Sequence, residues 1–351
     1  MKSSPLFCWV LFFAVSGVQV FAQQTDRVEV VKGSGRSLSG KITQVTPFGV
    51  SVQSAEGTKQ FTADQISKLI FQGQPLEIER ARSQMNSGRY DGAIEELQKI
   101  SQPPKRPEIK QEIDFLMAKA NAELAFRGSG SVTAQDAGRG INEFIRNNPQ
   151  SMHLFPATEL LGRLLFSVQE FELAEKEFVK LNESKWPEYV LKGNFLRGES
   201  LVEQGKFAEA VNAYQSILDS AANDDLTLNY KLLAKARLAK ANALAGNDSE
   251  SIKTLEELIR VENAENAILF AYTYNSLGSV YLKQDNLKEA MLAFLHTDLL
   301  YNTEREAHAE ALYNLAQIWP KLDQIERANQ TRQNLKNLHR NSVWALKLQQ
   351  Q

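Results

Sequence analysis

Apolar and polar positions divide the chain into three stretches with different periods. Leu6 to Val15 is almost continuously apolar. Between residues 26 and 71 the apolar positions are mostly β-branched or aromatic and fall in short runs. These are Arg27 to Val31, Leu38 to Val45, the strictly alternating Phe48, Val50 and Val52, Thr58 to Ala63, and Lys68 to Phe71. Alternation with period two predicts half-buried strands, and Lys32-Gly33-Ser34-Gly35, Thr46-Pro47 and Glu56-Gly57 supply turns between them. From residue 74 onward the spacing changes to that of amphipathic helices, arranged as pairs joined by short turns.

The helical pattern repeats. Aligning the second helix of each pair on its small residue gives Ala93, Ala137, Ala174, Ala210, Ser251, Ala290 and Ala328, at steps of 44, 37, 36, 41, 39 and 38 residues. Seven units of about 39 residues account for the 278 residues from 74 to 351. The clearest unit reads Tyr274-x2-Leu277-Gly278-x2-Tyr281 followed by Ala290-x3-Phe294. Leu161-Gly162-x2-Leu165 with Phe171, Ala174 and Phe178, and Gly198-x2-Leu201 with Gly205, Phe207, Ala210 and Tyr214, keep parts of it. This pattern resembles the tetratricopeptide repeat (TPR) family, with Tyr in place of the leading Trp and with every step longer than the family's 34 residues. A hairpin of this kind cannot bury both faces alone, so neighbours share one core along a stack. The resemblance implies a right-handed superhelix. After Ala328, the stripe Leu335, Leu338, Ala345 and Leu348, flanked by Arg332, Lys336, Arg340 and Lys347, predicts a capping helix on the last unit.

Five short strands in under 50 residues are expected to curl into a small barrel to bury their apolar faces. Val28 to Val31, Gly40-Lys41-Ile42, Phe48 to Val52, Gln65-Ile66 and Leu69-Ile70 are similar to Sm-like small β-barrels. The fold class read from the sequence is therefore mainly α: a right-handed α-solenoid of about seven TPR-like hairpins, preceded by a five-stranded β-barrel-like unit. Its divisions are a leader (1–22), a small β domain (26–72) and the solenoid with its capping helix (74–351).

Composition bears chiefly on compartment. Met1-Lys2, the apolar run and Val20-Phe21-Ala22 have the layout of a secretory signal cleaved between Ala22 and Gln23, too short and interrupted for a membrane-spanning helix. Cleavage removes the only cysteine, Cys8, and leaves 39 basic against 42 acidic residues, a balance of −3. An exported chain without cysteine has no disulfide, no thiolate metal ligand and no cysteine nucleophile. Near-neutral charge gives no footprint for nucleic acid, so no nucleic-acid partner is expected, and export disfavours the RNA-binding role of Sm-like rings. The expected location is the periplasm or the exterior.

Sites for chemistry are scarce. His153, His296, His308 and His339 lie on separate elements and none forms a His-Glu-x-x-His pair. Gly33-Ser34-Gly35 and Gly128-Ser129-Gly130 lack the continuation of a dinucleotide or phosphate loop, and no Gly-x-Ser-x-Gly elbow occurs. No catalytic residue, metal or cofactor is expected. By the TPR resemblance, the first helix of each hairpin lines a concave groove. Carried over to this chain, the candidate peptide contacts are Glu159, Arg163, Phe166, Phe195, Glu199, Lys240, Asn275, Tyr313 and Gln317. The Lys and Asn cluster with which some TPR domains hold a terminal carboxylate is absent. The function expected is a non-catalytic exported adaptor for a protein or peptide, the alternative being an envelope glycan-binding or glycan-processing protein.

Overall fold

The computed structural model describes residues 25–30, 37–129, 132–247 and 250–350. The expected leader, its cleavage site and the turn at 32–35 lie outside these residues. Strands β1 (Asp26–Val30), β2 (Ser37–Thr46), β3 (Gly49–Ser54), β4 (Gly57–Thr62) and β5 (Ile66–Ile70) form one antiparallel sheet in the order β4-β3-β2-β1-β5.

The strands fall where the alternation places them, but the sheet is open. Its edges, β4 and β5, lie at opposite ends and do not pair, which corrects the expected barrel and the Sm-like resemblance. The physical reason is the cover. Val28, Ile42, Val50, Val52, Ile66 and Leu69 share one apolar cluster with Ile78, Ala81, Leu97, Ile109 and Leu116 of the first three helices. A face buried by helices has no need to curl on itself. The chain turns at residues 71–75, yet the core runs across that turn. Asp26, almost fully buried, fastens it: its carboxylate accepts from Ile42 N at 2.8 Å and pairs with Arg106 at 2.7 Å.

Seven helical hairpins follow. They are α1 (Leu76–Asn86) with α2 (Tyr90–Gln98), α3 (Pro107–Arg127) with α4 (Ala134–Asn147), α5 (Leu154–Ser167) with α6 (Phe171–Lys180), and α7 (Pro187–Glu203) with α8 (Phe207–Leu218). Then come α9 (Asp225–Leu244) with α10 (Ser251–Val261), α11 (Ala267–Lys283) with α12 (Leu287–Leu300), and α13 (Arg305–Lys321) with α14 (Ile325–Leu338), before a short final helix, α15 (Val343–Gln349). All seven aligned small residues, from Ala93 to Ala328, are buried. The array is a mainly helical α-solenoid, as the repeat arithmetic requires.

Close approach within a hairpin depends on glycine in three units. A Cβ on Gly162 would sit 2.5 Å from the Phe178 ring, one on Gly198 2.5 Å from Tyr214, and one on Gly278 2.7 Å from Phe294. The large second-helix rings thus seat on the glycine of their own hairpin.

The turns are alike too. One residue in each takes a left-handed conformation, and where the turn is Gly205 this is free of strain. In three others it is Gln169, Asp285 or Asp323, at φ 67°, 58° and 60°. The same closing bond recurs in these turns, for example from Lys206 N to Leu201 O and from Gln324 N to Trp319 O, both 2.9 Å.

Candidate functional site

The first helices of hairpins four to seven turn a row of charged residues inward. Arg237 of α9 is its centre. Its guanidinium donates to Glu310 of α13 at 2.7 and 3.3 Å, pairs with Glu199 of α7 at 3.1 Å, and lies 4.4 Å over the Tyr272 ring. Lys240 donates to Glu310 at 2.6 Å, and Asn275 Nδ2 donates to Glu310 at 3.2 Å and to Ala307 O at 2.7 Å. Burial pushes the Glu310 carboxyl up, but Arg237 and Lys240 outweigh it and hold the group well below the usual carboxylate range. The pairs bind α9 to α13, two hairpins apart, so the inner wall is tightly curved here. Arg237 Nε finds no acceptor.

Against this wall lies a half-open cavity of about 140 Å³. Phe126, Phe166, Leu196, Tyr272 and Trp344 give it apolar walls, and Arg163, Glu199, Arg237, Arg305, Glu306 and Glu310 give it charge. Arg163 lies 4.7 Å over Phe126 and 3.5 Å from Glu306, whose side chain is 70% exposed. Among the described residues Arg305 forms no ion pair. It is the first residue of α13, where the helix dipole already presents positive charge.

The structure sorts the sequence candidates into three groups. Arg163, Phe166 and Glu199 meet at the cavity. Phe195, Lys240 and Asn275 are buried: Phe195 packs among Tyr214, Tyr230 and Tyr272 as core, while the other two belong to the ion network. Glu159 pairs with Lys192 at 3.0 Å, Tyr313 packs at 5.3 Å on Trp344, and Gln317 is half-buried on α13.

Sequence reasoning missed Arg237, Tyr272 and Glu310. One signal was present. Arg237 shares a helix face with Ala234 and Ala241, both fully buried, so its charge stood on a stripe of core residues.

Two histidines that are 31 positions apart meet beside the cavity. His308 Nε2 lies 2.9 Å from Asp298 Oδ1, and His308 Nδ1 lies 2.9 Å from His339 Nε2. With His308 donating to the carboxylate, its Nδ1 is left to accept and His339 donates. Burial, His308 and Arg305 push the His339 imidazole down to about 4. Among the described residues no group of three or more His, Cys, Asp or Glu is arranged to hold a metal.

A second cleft, of about 520 Å³, lies under the sheet between β5, α1 and α3. Its buried carboxylate, Glu112, is already satisfied by Arg82 at 2.8 Å and His153 at 2.6 Å. Burial raises its pKa, but His153 and then Arg82 bring it down to about 2. Glu79, Arg82, Glu112, Lys68 and His153, which line this cleft, are paired to one another.

A family model described as tetratricopeptide repeat matches residues 194–224, which is the fourth hairpin. A tetratricopeptide repeat protein from Parabacteroides merdae is similar at 18% identity, with a TM-score of 0.53 over 75% of this chain and 92% of that one. A Rap protein complexed with competence and sporulation factor is similar at 14% identity, with a TM-score of 0.52 over 77% of this chain and 76% of that one. Identities this low show a shared fold. Comparison with curated proteins finds no match. Among the described residues no helix is long and apolar enough to cross a membrane.

Proposed function

We propose that this chain is an exported, non-catalytic adaptor that binds a peptide or an extended segment of a protein on the inner wall of its solenoid. The observation that carries the reading is the cavity at Arg163, Phe166 and Trp344. It combines aromatic side chains, which often anchor small interfaces, with Arg305, which forms no ion pair among the described residues, and Arg163, whose partner Glu306 is exposed. The solved Rap protein, of similar fold, is complexed with a factor, which supports a binding role without naming the ligand here.

Affinity capture from the cell envelope tests it. Arg163→Ala and Phe166→Ala should each reduce recovery of the partner; Arg163→Ala should change the melting temperature little, and Phe166→Ala, whose ring also packs at 5.2 Å on Phe171, should lower it only in part. Phe195→Ala should instead lower the melting temperature, because its ring is core. Equal recovery by wild type and both cavity variants would reject this site. Export is tested separately: the amino terminus of the protein isolated from its source should be Gln23.

A further inference from the structure

The C-terminal segment makes two sets of contacts. Ala345 and Leu348 pack on Ala309, Leu312 and Leu335 of the last hairpin, as a cap should. The second set reaches across to the second, third and fourth hairpins. Asn341 Nδ2 donates to Ala125 O of α3 at 2.8 Å, and Lys347 pairs with Glu203 at the end of α7, its ammonium 5.9 Å from the Phe171 ring. The Arg340 side chain lies against Gly128. These contacts join residues 216 and 144 positions apart, and capping does not require them. Between the two sets lies the cavity, with Trp344 as one wall.

We propose that residues 340–349 are a strap that opens and closes over the cavity, and that the cavity receives one bulky apolar side chain of a peptide whose neighbouring residue carries a carboxylate. The proposal rests on the peptide-binding reading above and specifies its ligand and its gate. The two sets of contacts differ in kind: the cap is apolar, whereas the cross-array set is polar, made of one hydrogen bond, an ion pair whose ammonium also faces the Phe171 ring, and the Arg340 side chain against Gly128, contacts whose groups water can satisfy in turn. The strap therefore parts from α3 and α7 first, and α15 moves together with the hairpin that it caps.

Size and charge select the ligand. A cavity of about 150 Å³ is enough for a benzene ring, so 140 Å³ suits one aromatic or large aliphatic side chain. Glu310 is committed to Arg237 and Lys240, and Glu199 to Arg237. Among the described residues Arg305 has no carboxylate partner, and Arg163 has only the exposed Glu306. An acidic neighbour on the ligand would complete both. A basic one would face two arginines.

A random dodecapeptide phage library, selected on the full chain, tests the ligand class. Recovered peptides should pair a large apolar residue with an adjacent Asp or Glu, and should bind at least tenfold more weakly to Arg163→Ala/Arg305→Ala. Peptides without acidic residues, or indifference to that double variant, would overturn the ligand class. Failure to enrich any peptide on the folded chain would overturn the peptide-binding reading itself. For the gate, Glu203→Cys/Lys347→Cys is made in a Cys8→Ser background, where no other thiol exists, and joined by a bismaleimide linker. The joined chain should bind a recovered peptide with an association rate at least tenfold lower than the unjoined variant, at matched helicity and melting temperature. Equal rates would reject the strap and leave the peptide site standing.

Discussion

The two ends of the solenoid are covered by different chemistry. At the amino end a five-stranded sheet lays its apolar face on α1 to α3, and the cover and the covered form one core. At the carboxyl end a helix of seven residues covers the last hairpin with Ala345, Leu348 and the Trp344 ring on Tyr313, and polar groups carry its reach to α3 and α7. Each end also buries a histidine. His153 is matched to a carboxylate, Glu112, while His339 faces a second imidazole and Arg305. Apolar cover scales with area and is insensitive to pH and salt, whereas polar cover is weaker and responds to both. One end is built to stay shut and the other to respond.

Removing the sheet should have the largest effect. A chain beginning at Gln74 exposes Ile78, Ala81, Leu97, Ile109 and Leu116 together, and α1 to α3 should lose hydrogen-exchange protection and helicity. Retention of full helicity would show the two ends to be more alike than their packing suggests. The single substitution Ile78→Ala should cost about 2–5 kcal/mol in denaturant unfolding.

Next in size is the contrast between two buried carboxylates. Glu310→Ala leaves Lys240 buried without a counter-charge and Arg237 with Glu199 alone, and should cost about 3–5 kcal/mol. Glu112→Ala should cost less, because the side chains of its partners, Arg82 and His153, are 15% and 17% exposed and can reach water. Equal losses would mean that partner burial does not set the penalty.

Acid separates the ends further. The folded pKa of His339, about 4, lies below the unfolded value of about 6.5, so protonation favours the unfolded form. Its contribution is constant above about pH 6.5 and falls away between about 6.5 and 4. The sign for Glu112 is the same but its window lies lower: its depressed pKa stabilises the fold above about 4.3, and that is lost only as pH falls toward about 2. Between pH 6.5 and 5, hydrogen exchange corrected for its intrinsic rate should rise at α15 and not in the sheet. His339→Gln, which keeps a donor for His308, should flatten that response; an unchanged profile would place the titrating group elsewhere.

The smallest expected effect is at the turns. Asp323→Gly relieves a left-handed residue beside the carboxyl-terminal cover and should stabilise by about 0.5 kcal/mol, the strain removed exceeding the added freedom of the unfolded chain. Gly205→Ala, in the opposite sense, should destabilise by about 1 kcal/mol. Thermal unfolding of both variants checks the pair.

Legibility along the chain followed the range of the interactions. The aligned small residues from Ala93 to Ala328 and the alternation of Val50 and Val52 were readable because each reports a face of its own element. Phe48 shows the limit: it continues that alternation, yet it is 52% exposed, in the turn, with its ring 5.8 Å from Phe155. Of the candidate groove, Arg163, Phe166 and Glu199 line the inner cavity. Lys240 and Asn275 share that register but are sealed in, because curvature brings α13 across α9. Register gives direction around a helix and says nothing of what the neighbouring turn of the superhelix covers.

By itself the sequence determined seven hairpins, their small-residue contacts, the five strands and the final helix, since period, turn residues and side-chain size act over a few positions. Tertiary structure alone decided three things. The sheet stays open because α1 to α3 occupy the face that a barrel would have closed upon. Arg237 is paired because Glu310, 73 residues away, is carried to it by the curvature of the stack. The carboxyl-terminal segment meets α3 and α7 because small angles between successive hairpins accumulate along the array. No local pattern encodes that sum, so the cavity between Arg163 and Trp344 exists only in the assembled fold.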